Sequence, residues 1–176
     1  SVYRCAARPG YEVDLLAAKV YRPRQFRQLR NDKMYREGRA ILTSDGKEAK
    51  ETDHRLMRAI GKKSDFGVQV EHTSWLMYEF NTLKALYNAG AAVPKPYAVA
   101  ENAILMGYVG DDEMAGPTLS TVELDRNEAK DLFAETMRNV ELMLVHGMIH
   151  GDLSAYNILY WEGKITLIDF PQVTNS

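Results

Sequence analysis

A single cysteine, Cys5, stands in 176 residues, so the chain has no second thiol for an intramolecular disulfide or a zinc knuckle, and a reducing compartment is its natural setting. No run approaches the roughly 20 apolar residues that a membrane-spanning helix needs. The N-terminus also lacks the basic-then-apolar layout of a secretory signal. The expectation is a cytoplasmic protein without membrane contact. An overall excess of charge is missing too: a net charge of −2 exerts no global pull on nucleic acid or lipid. Internal repeats and low-complexity tracts are absent. What remains, 45% hydrophobic and 26% charged residues, is the composition of a chain able to bury one core.

The charge that is present is unevenly placed. Between Arg22 and Lys63 there are 13 Lys and Arg against 6 Asp and Glu, a local balance of +7 that leaves −9 for the rest. The segment reads as a charged insertion with helical fragments at Gln25–Glu37 and Lys50–Ile60, Phe26 and Tyr35 serving as packing anchors. Before it, apolar runs at Val2–Ala7 and Val13–Tyr21 flank the turn Arg8-Pro9-Gly10 and predict two strands, the second carrying Lys19. After it, Leu76, Phe80, Leu83, Leu86 and Tyr87 space a helix over Thr73–Ala89, ended by Gly90. Glu79 lies on or beside that apolar stripe and needs a partner if it is buried. Strands are predicted at Tyr97–Ala100 and Ala103–Val109. Asp125 and Glu128 form a capping box for a helix to His146, with Leu132, Phe133, Thr136, Met137, Val140, Met143 and Leu144 on its buried side. A loop over Met148–Tyr156 then leads to a hairpin of Ile158–Trp161 and Lys164–Ile168, turned by Glu162-Gly163.

The chemistry concentrates around that hairpin. His150-Gly151-Asp152-Leu153-Ser154-Ala155-Tyr156-Asn157 precedes it and Ile168-Asp169-Phe170-Pro171 follows. This order places three oxygen-bearing side chains at one mouth. Magnesium takes hard oxygen ligands and keeps positions for phosphate and water, so Asn157 and Asp169 suit it. Phosphoryl transfer needs a separate carboxylate to orient the nucleophile and accept its proton, the place of Asp152. His150 reads as a structural histidine bonded to backbone near Asp169.

These residues match the protein-kinase pattern of catalytic loop, asparagine and metal-binding aspartate. Lys19 on a strand and Glu79 on a helix complete it, the lysine holding nucleotide phosphates and the glutamate fixing the lysine. Across essentially its whole length the chain resembles the RIO family of atypical serine/threonine protein kinases. The resemblance rests on His150-Gly151-Asp152-Leu153-Ser154 with Tyr156-Asn157, on Ile168-Asp169-Phe170-Pro171-Gln172, and on Tyr108-Val109-Gly110-Asp111-Asp112-Glu113-Met114. It implies an α+β, two-lobed kinase-like fold truncated at both ends. Residues 1–109 would form an N-lobe with an antiparallel sheet and a charged insertion at about 22–72, and residues 110–176 a partial, mostly helical C-lobe. It also implies use of ATP and Mg2+, with transfer to serine or threonine or work as an ATPase switch. Met106 becomes the gatekeeper beside adenine, and Gly107-Tyr108-Val109 the hinge. Family members act in small-subunit ribosome maturation, so a pre-ribosomal particle or RNA held by residues 22–63 is an implied partner.

The pattern also departs from the family and from ordinary kinases. No Gly-Lys-Glu-Ala stretch precedes the strand at Val2-Tyr3, where the family carries its phosphate-covering loop, Gly151 replaces the arginine of ordinary kinases, and nothing after Pro171 resembles an activation loop. Two other functions fit parts of the pattern. Small-molecule phosphotransferases of the aminoglycoside or choline kinase type share His-Gly-Asp with an asparagine five residues after the aspartate. A non-catalytic pseudokinase could use the basic segment to bind RNA, although it would not need Lys19, Glu79, Asp152, Asn157 and Asp169 together.

Overall fold

The computed structural model describes residues 1–21, Leu42, Arg58, 65–170 and 174–175, with residues 65–72 and 174–175 described by their backbone alone. The basic segment Arg22–Lys63, with its two expected helical fragments and the anchors Phe26 and Tyr35, lies outside the described residues apart from Leu42 and Arg58.

Four strands form one antiparallel sheet in the order β1-β2-β4-β3: β1 Val2–Ala6, β2 Leu15–Val20, β3 Pro96–Val99 and β4 Ala103–Gly107. Its centre is β2, which pairs Lys19 with Val2 on one side and with Ile104 on the other. A central strand is covered on both faces, which is why Leu16 and Ala17 are both buried although their side chains point opposite ways. β3 slips register between Pro96 and Ala98, consistent with the missing N–H of Pro96 at a strand's first position.

Helix α1, Asp65–Asn88, packs against β3 and β4. It begins eight residues before the expected Thr73 and so reaches back into the stretch assigned to the insertion. The periodic apolar signal starts only at the described core positions, and a helix can extend past its own apolar stripe once one face is anchored. Leu76, Leu83 and Leu86 are buried as expected, whereas Tyr87 is exposed. Gly90 has a positive φ of 83° and ends the element.

Helix α2, Arg126–Val145, is capped by Asp125, whose carboxylate accepts from the Asn127 and Glu128 N–H groups. Only half of the expected capping box forms, because the Glu128 carboxylate accepts from the Tyr160 hydroxyl instead of reaching back. The predicted buried side needs a larger correction. Leu132 and Met143 are buried, but Phe133, Met137 and Leu144 are exposed, and the most buried residue is the polar Asn139. Asn139 Oδ1 accepts from the Ala92 N–H at 2.6 Å and its Nδ2 donates to the Glu135 carbonyl at 2.8 Å, so the helix is seated by an amide where periodicity pointed to apolar neighbours.

Short strand β5, Met148–Ile149, pairs with β8, Thr174–Asn175, where a plain loop was expected. The hairpin of β6, Ile158–Trp161, and β7, Lys164–Leu167, turns on Glu162 and Gly163 with φ of 48° and 76°, the signs a two-residue turn takes between right-twisted strands. Leu83 and Leu86 of α1, Leu132 and Met143 of α2, and Ile158, Ile165 and Leu167 of the hairpin share one core, while Tyr21, Leu76 and Ile104 form a smaller one on the sheet side. The mixed α+β architecture with an antiparallel sheet is thus as expected.

Candidate active site

Lys19 sits near the end of β2, on the face turned toward α1. Its ammonium bridges two carboxylates, Glu79 Oε1 at 2.8 Å and Asp169 Oδ1 at 2.6 Å. Burial alone would push the lysine pKa down, but the charges and hydrogen bonds of Glu79 and Asp169 outweigh it and hold the pKa above the ordinary value, so Lys19 is charged. Glu79 is buried, and its second oxygen accepts from the Tyr21 hydroxyl. The carboxylate on the stripe of α1 therefore has the partner that its burial demands.

Asp169 follows β7 with a φ of +69°, a left-handed conformation that a non-glycine residue holds only when its surroundings impose it. Both neighbours do so. The Ile168 N–H donates to the Asn157 carbonyl at 2.9 Å, and the Phe170 ring is buried in the main core. This turn aims the aspartate toward Lys19 while leaving the side chain 46% exposed.

The loop before the hairpin is organised by His150, which is buried. Its Nδ1 accepts from the Asp152 N–H at 3.3 Å, so the ring proton lies on Nε2, which donates to the Ile168 carbonyl at 3.1 Å. One neutral imidazole thereby ties the Asp152 backbone to the residue before Asp169. Burial lowers the His150 pKa, and the nearby carboxylates and the Ile168 bond oppose this only in part. Gly151 has a φ of +79°, so the position that ordinary kinases fill with arginine is here a backbone turn that a side chain would strain. Asn157 Nδ2 donates to the Asp152 carbonyl at 2.8 Å and lies 3.3 Å from Asp152 Oδ2. Those bonds orient the amide through its Nδ2 and do not engage Asn157 Oδ1.

Met106 lies on β4 opposite Ala17 and Pro96. In the segment that follows, the Gly107 N–H donates to the Lys95 carbonyl at 2.8 Å and the Val109 carbonyl accepts from the Gly116 N–H at 2.8 Å, which leaves the Tyr108 peptide and the Val109 N–H uncommitted by these bonds. Gly110, with a φ of +130°, admits no side chain because a Cβ there would collide with the Met114 carbonyl and come within 2.9 Å of the Ala115 Cα. Asp111 Oδ1 accepts from the Glu113 and Met114 N–H groups at 2.9 and 2.8 Å, and these bonds lower its pKa. Arg4 of β1 then donates to the carbonyls of Asp111 and Asp112, so the acidic run is a folded turn held by the first strand.

The structure thus joins Lys19, Glu79 and Asp169 directly and connects Asp152 and Asn157 to Asp169 through the hairpin backbone. A model of the RIO domain matches residues 1–176. The chain belongs to the RIO family. Among similar proteins, the RIO-type serine/threonine-protein kinase Rio2 of Methanocaldococcus jannaschii is 35% identical over 144 residues, covering 75% of this chain and 53% of that protein. The serine/threonine-protein kinase rio1 of Schizosaccharomyces pombe is 34% identical over 100 residues, covering 56% of this chain and 20% of the relative. The RIO-type serine/threonine-protein kinase Rio1 of Haloferax volcanii is 35% identical over 100 residues, covering 56% and 33%. The RIO domain described here therefore spans between a fifth and about half of the length of these relatives.

Two features of this RIO domain escaped the sequence reading. Tyr21 carried a signal, since it lies two residues after Lys19 on the same face of the chain. Arg4 carried none, because its partners are backbone carbonyls more than a hundred positions away. Among the described residues no helix is long and apolar enough to cross a membrane.

Proposed function

We propose that this RIO domain transfers the γ-phosphoryl group of ATP to a serine or threonine hydroxyl, with residues 1–109 and 110–176 as the two lobes around the nucleotide. The observation that carries the reading is the Lys19 ammonium, bonded at once to Glu79 on the helix and to Asp169 after the hairpin. A charged lysine fixed by a buried carboxylate is the arrangement that holds nucleotide phosphates.

Each remaining residue has a task compatible with its surroundings. Asp152 is exposed, and among the described residues its carboxylate receives one long contact from Asn157, which suits it to orient a substrate hydroxyl and accept its proton. Asn157 Oδ1 and the exposed Asp169 carboxylate offer two hard oxygen donors on adjoining backbone, a set that fits Mg2+, which takes few protein ligands and fills its shell with phosphate and water. Bound there, the ion would neutralise charge on the transferring phosphoryl group. Adenine would lie beside Met106 and meet the Tyr108 peptide and Val109 N–H of the hinge. The names of the relatives, all of them serine/threonine-protein kinases, support this reading.

The test follows the γ-phosphate of ATP, with magnesium present or chelated, to protein, water or an added amino sugar. Magnesium-dependent label on protein is expected. Asp169→Ala should abolish it, and Asp152→Ala should reduce transfer by a factor of order 10² or more while nucleotide binding persists. Full activity in Asp169→Ala would remove the metal assignment, and label on the amino sugar would move the chain to the small-molecule phosphotransferases.

A further inference from the structure

We propose that Tyr21 is a positioning residue that latches the Lys19–Glu79 pair from behind, with its hydroxyl on the carboxylate and its ring wedged against α1. The proposal rests on the phosphoryl-transfer reading of the site, in which Lys19 must be held in one place to meet phosphate. Tyr21 and Glu79 are each only 4% exposed. A buried carboxylate needs donors for both oxygens, and here Lys19 serves Oε1 at 2.8 Å while the Tyr21 hydroxyl serves Oε2. The Tyr21 ring meets Trp75 edge to face, with centroids 4.6 Å apart and planes at 89°. Trp75 precedes Glu79 by one helical turn, so a single side chain grips α1 at two points along its length. Sliding or rotating the helix would break one grip or the other. The same ring lies 5.3 Å from the Lys19 ammonium and adds a weak attraction for the cation.

The latch matters because Lys19 has a competing partner. Asp169 is 2.6 Å away on the exposed side of the site and draws the ammonium toward the hairpin. Without the Tyr21 hydroxyl, Glu79 Oε2 would be a buried acceptor lacking its donor, and the carboxylate would turn or α1 would shift to find one. Lys19 would then pass to Asp169, the residue needed for the metal. Tyr21 thus determines how the lysine is shared between the two carboxylates.

Tyr21→Phe keeps the ring and removes only the hydroxyl, whereas Tyr21→Leu removes both. In the full chain, calorimetry would give the dissociation constant for MgATP, and NMR would give the Glu79 13Cδ shift without nucleotide. Tyr21→Phe should melt a few degrees below the wild type, move the Glu79 resonance and weaken MgATP about tenfold, the scale of one hydrogen bond to a charged group. Tyr21→Leu should lose considerably more melting temperature, and Phe at this position should recover that difference but not affinity. In a Lys19→Met background the effect of Tyr21→Phe on MgATP should vanish. An unmoved Glu79 resonance overturns the latch, as does wild-type affinity in Tyr21→Phe or a loss that persists without Lys19. If wild type and Lys19→Met bind nucleotide equally, the phosphoryl-transfer reading fails on its own, and the Glu79 resonance still decides whether Tyr21 holds the carboxylate.

Discussion

Asp169 shows how surroundings fix the conformation of a single residue. Its left-handed backbone, at a φ of +69°, costs of order 1 kcal/mol or more, which is offset by the Ile168–Asn157 backbone bond on one side and the buried Phe170 on the other. His150 reinforces the same turn from below, and its neutral state has a consequence for pH. Its pKa lies below the ordinary 6.5 because it is buried, so the unfolded chain takes up the proton first as pH falls. Stability associated with His150 is complete above the ordinary value and is lost as pH drops below it through the folded value. Urea midpoints measured at pH 7.5 and 5.5 should fall with acidification, and His150→Asn should flatten that slope. An identical slope in the variant would separate His150 from the effect.

At the scale of elements, the two long helices are anchored by opposite means. α1 buries Leu76, Leu83 and Leu86 almost completely, each worth about 1.5–3 kcal/mol of transfer from water. α2 buries fewer apolar side chains and depends on Asn139, which supplies the acceptor for the Ala92 N–H and a donor to its own helix. Asn139→Ala should leave that N–H without its acceptor and cost about 2–3 kcal/mol, read as a lower urea midpoint at unchanged slope. A loss under 0.5 kcal/mol would show that water replaces the amide. The segment around Ala92 has a second role, since its carbonyl accepts from the Leu167 N–H at 2.7 Å, two residues before Asp169. The end of α1 and the end of β7 are therefore held at one residue.

For the whole molecule, the ion pair of Lys19 with Asp169 joins the sheet to the hairpin across the site, with the main core behind it. A ligand that occupies this site adds to the link between the two halves. MgATP at a hundred times its dissociation constant should stabilise the fold by about 2.7 kcal/mol and raise the melting temperature by roughly 5–10 °C. Lys19→Met should lose most of this shift in a thermal scan. Among the described residues, removing Lys19 leaves the buried Glu79 carboxylate with the Tyr21 hydroxyl as its side-chain partner, so this variant should be less stable without nucleotide, by about 3–5 kcal/mol. A full thermal shift in Lys19→Met would place the nucleotide elsewhere.

The amino-acid order by itself determined most of the elements and pointed to the residues proposed for chemistry. Apolar runs placed β2 and β4, spacing placed the apolar stripe of α1, Glu162-Gly163 placed the hairpin turn, and the run from His150 to Asn157 with Asp169 marked the residues proposed for chemistry, because each of these signals lies within a few residues. Tertiary structure alone decided the rest. Whether Phe133 and Met137 are covered depends on what packs against α2, and periodicity marks only a face that could be buried. The contacts of Asn139 and Arg4 come from partners 47 and 107 positions away, which no local pattern encodes, and Tyr21, although alternation sets it beside Lys19, meets a carboxylate 58 positions away. The conformation of Asp169 belongs to the same class, since an aspartate accepts a left-handed backbone only when neighbours brought in from elsewhere in the chain hold it there.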